Sequence, residues 1–474
     1  MNAPVRLSAR WSRVASSWLP FADAASADLP LGRLLRLSLF QVSVGMAAVL
    51  LNGTLNRVMV VELSIPAWLV ALVIALPLLV APFRALIGHR SDIHRSVLGW
   101  RRVPFIWFGT LMQFGGLAIM PFALLLLGRE GDFPLGVTAS ALAFLLTGAG
   151  MHLTQTAGLA LATDLAPADK RPRAVALLYV MLLVGTLAAA LSIGSLLLDF
   201  SPTRLVQVIQ GAAALTFGLN LVALWKQESR GAPAPEPESA PPSFSELWTA
   251  FVAQGQTARL LAAIGLGAAA FAMQDALLEP YGGEILGLSV GATTSLTGAW
   301  AGGALLGFAL AARSLSHQTD PLRVAGTGLV AGIAAFLLIL FAAPFGSSLL
   351  LFLGAGAIGL GLGLFSVGTM IEVMGLANGG NAGLALGGWG AVQASCAGLA
   401  IAFGGILRDL VSAYASAGGV GGALSDPATG YVSVYCLEIL LLLATLVALG
   451  PLLGRRAGRA FPLPGQFGLR EFPT

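Results

Sequence analysis

Twelve stretches of mostly apolar residues, each close to the roughly 20 residues that span a bilayer, follow one another along this chain. Hydrocarbon offers no partner to a backbone N–H or C=O, so each crossing must close its own hydrogen bonds as a helix or as part of a closed barrel. Barrel strands alternate in segments of about ten residues. The runs here are continuous and about twice that length, which selects helices. They cover 37–61, 66–87, 103–127, 136–163, 172–198, 203–225, 258–280, 288–312, 322–343, 347–373, 381–407 and 430–453. Only 10% of residues are charged, against about a quarter in soluble domains. The 60 glycines suit close helix packing in a membrane. The chain is therefore read as an all-α polytopic membrane protein.

The basic residues orient it. Short loops rich in Lys and Arg stay on the cytoplasmic side. Of the 26 lysines and arginines, 22 fall in alternate connections or at the two chain ends. The opposite loops hold Arg129, Arg204 and Arg408, and Arg57 sits within the first run. This bias predicts both termini in the cytoplasm. The net charge of +4 follows from those loops and indicates no nucleic-acid partner.

Residues 226–257 interrupt the apolar pattern with a Pro-rich linker, and they divide the spans six and six. The predicted organisation is an N-terminal interfacial segment over 1–36, a six-helix half over 37–225, the cytoplasmic linker over 226–257, a second six-helix half over 258–453 and a cytoplasmic tail over 454–474. Trp11, Trp18 and Phe21 beside Arg10 and Arg13 suit a segment lying on the membrane surface, with a disordered tail as the alternative. A weak internal repeat relates the joins after the fourth run (Asp164 to Ala174) and after the tenth (Glu372 to Ala382).

Ionisable residues inside a membrane are candidates for function. Arg57, Asp275, Glu279, Glu372 and Glu438 qualify. Counted at about 1.5 Å per residue, most lie near helix ends. Few reach the middle, which points to an apolar ligand or to no transport. His152 does lie deep, in the middle of the fourth run, with Gln155 one turn on. A neutral imidazole can ligate a metal, including the magnesium of a chlorin. The plainer reading is a histidine hydrogen-bonded to a neighbouring helix. Gly148, Gly150 and Gly158 are expected to thin the surface around it. The two cysteines, Cys396 and Cys436, read as free core thiols. Zinc-type ligand spacing and a phosphate-binding loop are both missing, so neither a protein-bound free metal nor an enzyme is expected.

The loop from Gly88 to Arg102 reads GHRSDIHRSVLGWRR. It resembles the loop between the second and third helices of the major facilitator superfamily, with a longer spacing after Asp92. The resemblance implies that fold, with twelve transmembrane helices in two six-helix halves. It also implies a latch at the cytoplasmic face, in which Gly88 allows close approach and Asp92 caps a helix of the other half. Arg95, Arg101 and Arg173 would be its partners. The alternative is that these arginines anchor the loop to anionic lipid.

Four stretches narrow the resemblance: LGRLLRLSLFQ at 31–41, TLNRVM at 54–59, PFRALIG at 82–88 and HRSVLGWRRVP at 94–104. They are similar to the PucC/LhaA family, the bacteriochlorophyll delivery branch of that superfamily in purple phototrophic bacteria. The resemblance implies a multi-pass protein of the intracytoplasmic photosynthetic membrane. It implies a part in assembling light-harvesting antenna complexes, with bacteriochlorophyll as the ligand handled. The implied partners are antenna α/β polypeptides and the reaction centre–core antenna complex. His152 and Gln155 then become the candidate pigment site. The alternative function is secondary transport of a small amphipathic solute, and a third is a structural cap on an incomplete antenna ring.

Overall fold

The computed structural model describes residues 29–79, 100, 102–129, 131–167, 170–228, 249, 251–253, 255–376, 382–417 and 426–453. Gly88, Asp92, Arg95 and Arg101, the aromatic N-terminal segment, most of the linker and the tail lie outside the described residues.

Among the described residues twelve helices follow in order. They are α1 (Leu31–Glu62), α2 (Ala67–Leu79), α3 (Val103–Leu127), α4 (Phe133–Leu165), α5 (Arg171–Leu196) and α6 (Pro202–Leu224), then α7 (Thr257–Glu284), α8 (Val290–Ser316), α9 (Pro321–Ala342), α10 (Ser348–Leu376), α11 (Ala382–Ser416) and α12 (Thr429–Leu449). Among the described residues, eleven helices are long and apolar enough to cross a membrane, and α2 is a shorter apolar helix. No strand occurs among them.

The packing repeats. In the first group α1 lies against α5 and α6, α3 against α4 and α6, and α2 against α4. Adding six to every label gives the second group: α7 against α11 and α12, α9 against α10 and α12, and α8 against α10. The two groups meet through α2–α11 and α5–α8, pairs that also exchange under the same operation. The start of α1 lies against the end of α6, and the start of α7 against the end of α12; this end of the bundle is here called the terminal end. The other is the distal end.

Three helices depart from the sequence expectation. α1 begins at Leu31, inside the segment expected to lie on the membrane surface, because Arg33 donates to the Gln227 carbonyl at 2.6 Å and is thereby tied to the end of α6. α1 also widens into π-type turns over Val49–Leu55 and Val58–Glu62. α11 runs on past residue 407 to Ser416, carrying Arg408 inside a helix rather than in a loop.

The third departure is α7, which extends to Glu284 but breaks at a tight turn over Met273–Ala276. Pro280 explains the break: a proline ring clashes with the carbonyl four residues back, here Ala276, and supplies no N–H to it. The Gln274 N–H leaves the helix ladder and donates to Glu438 Oε1 at 2.7 Å.

Candidate functional site

The two groups of helices are joined at the distal end. Asp409 on α11 accepts the Trp68 N–H at 2.8 Å, so a carboxylate from one half caps the first turn of α2 in the other. One turn away, a Cβ on Gly405 would stand 2.8 Å from the Ala67 carbonyl. Across α5–α8, a Cβ on Gly291 would stand 2.8 Å from the Leu198 nitrogen. Thr54 and Thr294 share a hydrogen bond at 3.1 Å. Arg57, 5% exposed, pairs with Glu62 and donates to the Leu288 carbonyl at 3.1 Å. Arg408 pairs with Glu284 and Asp409 and lies 4.5 Å above the Tyr431 ring, whose hydroxyl donates to Glu284 at 2.7 Å. Charge-assisted bonds of this kind are shorter and stronger than neutral ones.

Toward the terminal end the stretch that follows α2 lies outside the described residues. Trp389 to Ala397 on α11 are half-exposed without a break, so neither face of the helix is sealed there. On α4 His152, Gln155 and Thr156 are half-exposed as well.

The latch expected at Asp92 lies outside the described residues; Asp409 makes a cap of that kind at the distal end. Of the expected latch residues, Arg173 is described; it is half-buried in the first turn of α5. Arg102 has a different role from a latch: its Nε donates to Asp164 at 3.0 Å, while Glu228 accepts the N–H groups of Arg102 and Val103 at 3.1 and 3.0 Å. These bonds tie α3, α4 and α6 within one half. Substituting Asp409→Ala is expected to weaken distal closure by about 1 kcal/mol, the scale of one charged cap. A fall in cross-linking between cysteines placed on α2 and α11 near residues 68 and 409 is the readout. Unchanged cross-linking contradicts it.

The interior charges are more connected than their spacing suggests. Glu438 sits about 14 Å into the 21-residue α12, near its middle, and is fully buried. The break in α7 sets Asp275 close enough to act on its charge, and on that of Glu279 one turn further along α7. Glu279 is 5% exposed and accepts from Thr297 at 2.9 Å. Gln274 Nε2 donates to Asp275, and Asn56 on α1 donates to the Asp275 carbonyl at 3.3 Å. Counting along the sequence puts Glu438 at a similar depth and Asp275 and Glu279 toward a helix end; it does not show that the α7 break lies against Glu438. Glu372 stands apart, buried toward the terminal end of α10. Sequence reading passed over Asn56 and Asp409. Two signals were available: Pro280 six residues after Gln274, and the adjacent opposite charges of Arg408 and Asp409 in an apolar run.

His152 lies near the middle of the 33-residue α4. The glycines around it do not thin its surface. A Cβ on Gly148 would run into the Pro77 ring of α2, one on Gly158 into the Phe40 ring of α1, and one on Gly150 would stand 2.6 Å from the Gln113 nitrogen of α3. They seat three neighbouring helices against α4 and so hold His152 in place. Gln155 Nε2 donates to Gln41 Oε1 at 3.3 Å. Gln41 is fully buried, and its Nε2 has no hydrogen-bond partner. A buried amide N–H left open beside Gln155 suits a ligand that carries a carbonyl acceptor. Cys396 is half-buried and Cys436 exposed; both are free, so Cys436 is not the core thiol expected.

Solved structures with the same fold include the nucleoside transporter NupG (TM-score 0.62, 16% identity, 88% of this chain and 99% of that one). A bacterial homologue of the human lysosomal transporter Spinster is comparable (TM-score 0.61, 16% identity, 88% and 94% coverage). The architecture is that of the major facilitator superfamily, in an all-helical, multi-pass membrane protein. In sequence, the chain is 54% identical over 470 residues to an uncharacterized protein of the puhA–bchM intergenic region of Rhodobacter capsulatus, covering 97% of this chain and 98% of that one. It is 49% identical over 453 residues to the protein PucC of Cereibacter sphaeroides, covering 94% and 98%. It is 30% identical over 442 residues to a protein of Rhodobacter capsulatus named bacteriochlorophyll synthase 44.5 kDa chain, covering 90% and 97%. The profile of the PUCC protein family matches residues 54–457, and the chain belongs to that family.

Proposed function

We propose that this chain is an assembly factor for bacterial light-harvesting antenna complexes and that it handles bacteriochlorophyll as antenna α/β polypeptides enter the membrane. The observation that carries this reading is the near-full-length similarity to PucC proteins, joined by the protein named for bacteriochlorophyll synthesis. The residues around His152 fit the pigment. The half-exposed imidazole is a donor of moderate basicity for the magnesium, and the open Gln41 N–H faces the need of a ring carbonyl. His152 would hold the metal, with Gln41 and Gln155 orienting the macrocycle. The bound pigment would supply light absorption, and the chain would supply holding and release. No catalytic step is assigned to it.

In this reading the terminal end faces the cytoplasm and the membrane is the intracytoplasmic photosynthetic one. Pigment enters along the half-exposed stretch of α11 or laterally along α4. The clients are antenna polypeptides, including those around the reaction centre. Removing the chain from a phototrophic host is expected to lower antenna absorbance several-fold while total bacteriochlorophyll falls less. Antenna at wild-type level in its absence contradicts the proposal.

A second reading, transport of a small amphipathic solute, draws support from the transporter fold and from a seam closed at one end. Solute uptake by empty vesicles containing the chain, with no effect on antenna, selects it.

A further inference from the structure

Asp275, Glu279 and Glu438 lie around the break in α7, and nothing said of pigment uses them. Glu438 is fully buried and Glu279 is 5% exposed. Among the described residues neither pairs with a lysine, arginine or histidine. Asp275 is close enough to act electrostatically on both. An ionised carboxylate buried without a cation is expensive by several kcal/mol, so such a group carries a proton or holds a bound cation.

A second observation separates these. Glu438 Oε2 and Asn56 Oδ1 are both buried acceptors with no donor. The site is short of hydrogens. A proton on Glu438 turns one orphaned acceptor into a donor. Among the described residues, no three acidic, histidine or cysteine side chains are spaced to hold a metal ion. We propose that Asp275, Glu279 and Glu438 form a proton-binding site at the junction of the two halves, and that its occupancy governs closure of the distal seam.

The geometry supplies both an entrance and an output. Asp275 is half-exposed, and the break it lies in is surrounded by α2, α11 and α12, with Asn56 of α1 on its carbonyl. The surface it exposes is therefore that of the seam between the halves. A proton arriving there reaches Glu279 and Glu438 behind it. The output runs through the first half. Asn56 is next to Arg57, which holds Glu62 and the Leu288 carbonyl and lies against Gly283 of α7. Losing the proton leaves negative charge that attracts Arg57 inward, away from those distal partners. Other titratable groups face the break from α7 and α12: Tyr281, Tyr435 and, further out, Glu284 and Tyr431. Arg408 and Asp409 of α11 already neutralise that outer set.

The experiment uses the full chain in liposomes with Cys396 and Cys436 replaced and one cysteine at position 67 or 71, both buried against Gly405 of α11. Labelling is followed from acid to alkaline pH in potassium and in sodium buffers. Labelling at the distal seam is expected to rise several-fold as pH rises, equally in both salts. Glu438→Gln, which mimics the protonated acid, is expected to abolish that rise and keep the seam closed. Infrared spectra of the wild-type protein should show a buried protonated carboxyl band that Glu438→Gln diminishes, which keeps the test valid if the variant folds poorly. Labelling that is flat with pH, a response that follows sodium rather than pH, or absence of the carboxyl band overturns the proposal.

Discussion

Gly303→Leu is expected to abolish folded protein, whereas Gly302→Leu on the same helix leaves it almost unaffected. A Cβ on Gly303 would stand 2.7 Å from the carbonyl carbon of Gly356 and 3.1 Å from its Cα, so α8 and α10 touch backbone to backbone. A Cβ on Gly307 would stand 2.5 Å from the Leu360 carbonyl oxygen, and one on Gly359 would stand 2.8 Å from the Trp300 carbonyl carbon. Backbone cannot rotate aside as a side chain can. The helices must separate along the whole contact, and dispersion contacts are lost with them. Overpacking alone costs about 3 kcal/mol at the upper end of its range, and separation adds to it. Around Gly302 nothing lies within 4 Å. The check is the membrane level and melting temperature of the two variants in detergent. Equal behaviour contradicts the packing described.

His152→Leu is expected to remove the near-infrared band of the purified protein while its stability changes by less than about 1 kcal/mol. A half-exposed side chain on a helix held by other residues contributes little to folding. Gly148, Gly150 and Gly158 keep α4 in place against α2, α3 and α1 whatever stands at position 152. Gln41→Leu fills the open amide site without touching the imidazole, and its expected effect is a shifted or weakened band rather than its loss. A variant at His152 that keeps its full pigment complement assigns the imidazole to helix packing alone.

Helix existence was legible because apolar length is set by the bilayer and leaves a long, redundant signal. α3 occupies the residues its apolar run predicts, and most other ends fall within a few residues. What was not legible depends on contacts between distant segments. The run past residue 407 looks like a loop because Arg408 is charged; pairing with Glu284, 124 residues away, lets the helix continue. Asp275 and Glu438 look unrelated when each is measured from its own helix end. Their approach follows from Pro280 breaking α7 and from the 2.7 Å bond between Gln274 and Glu438. Asp92, which carries the motif, lies outside the described residues; Asp409, which carries none, makes a capping bond of the same kind. Glycines in the fourth run read as thinning the surface around His152, because the sequence does not show what lies against them. Only the fold shows that Phe40 and Pro77 fill those places.

The central claim is that this chain handles bacteriochlorophyll for antenna assembly. The most direct test is the absorption spectrum, with subunit content, of the full chain purified in mild detergent from its native phototrophic membrane. A near-infrared bacteriochlorophyll band in a fixed ratio to the chain, with antenna polypeptides in the same fraction, is the predicted result. A colourless protein without antenna polypeptides, active instead in solute uptake, would contradict it.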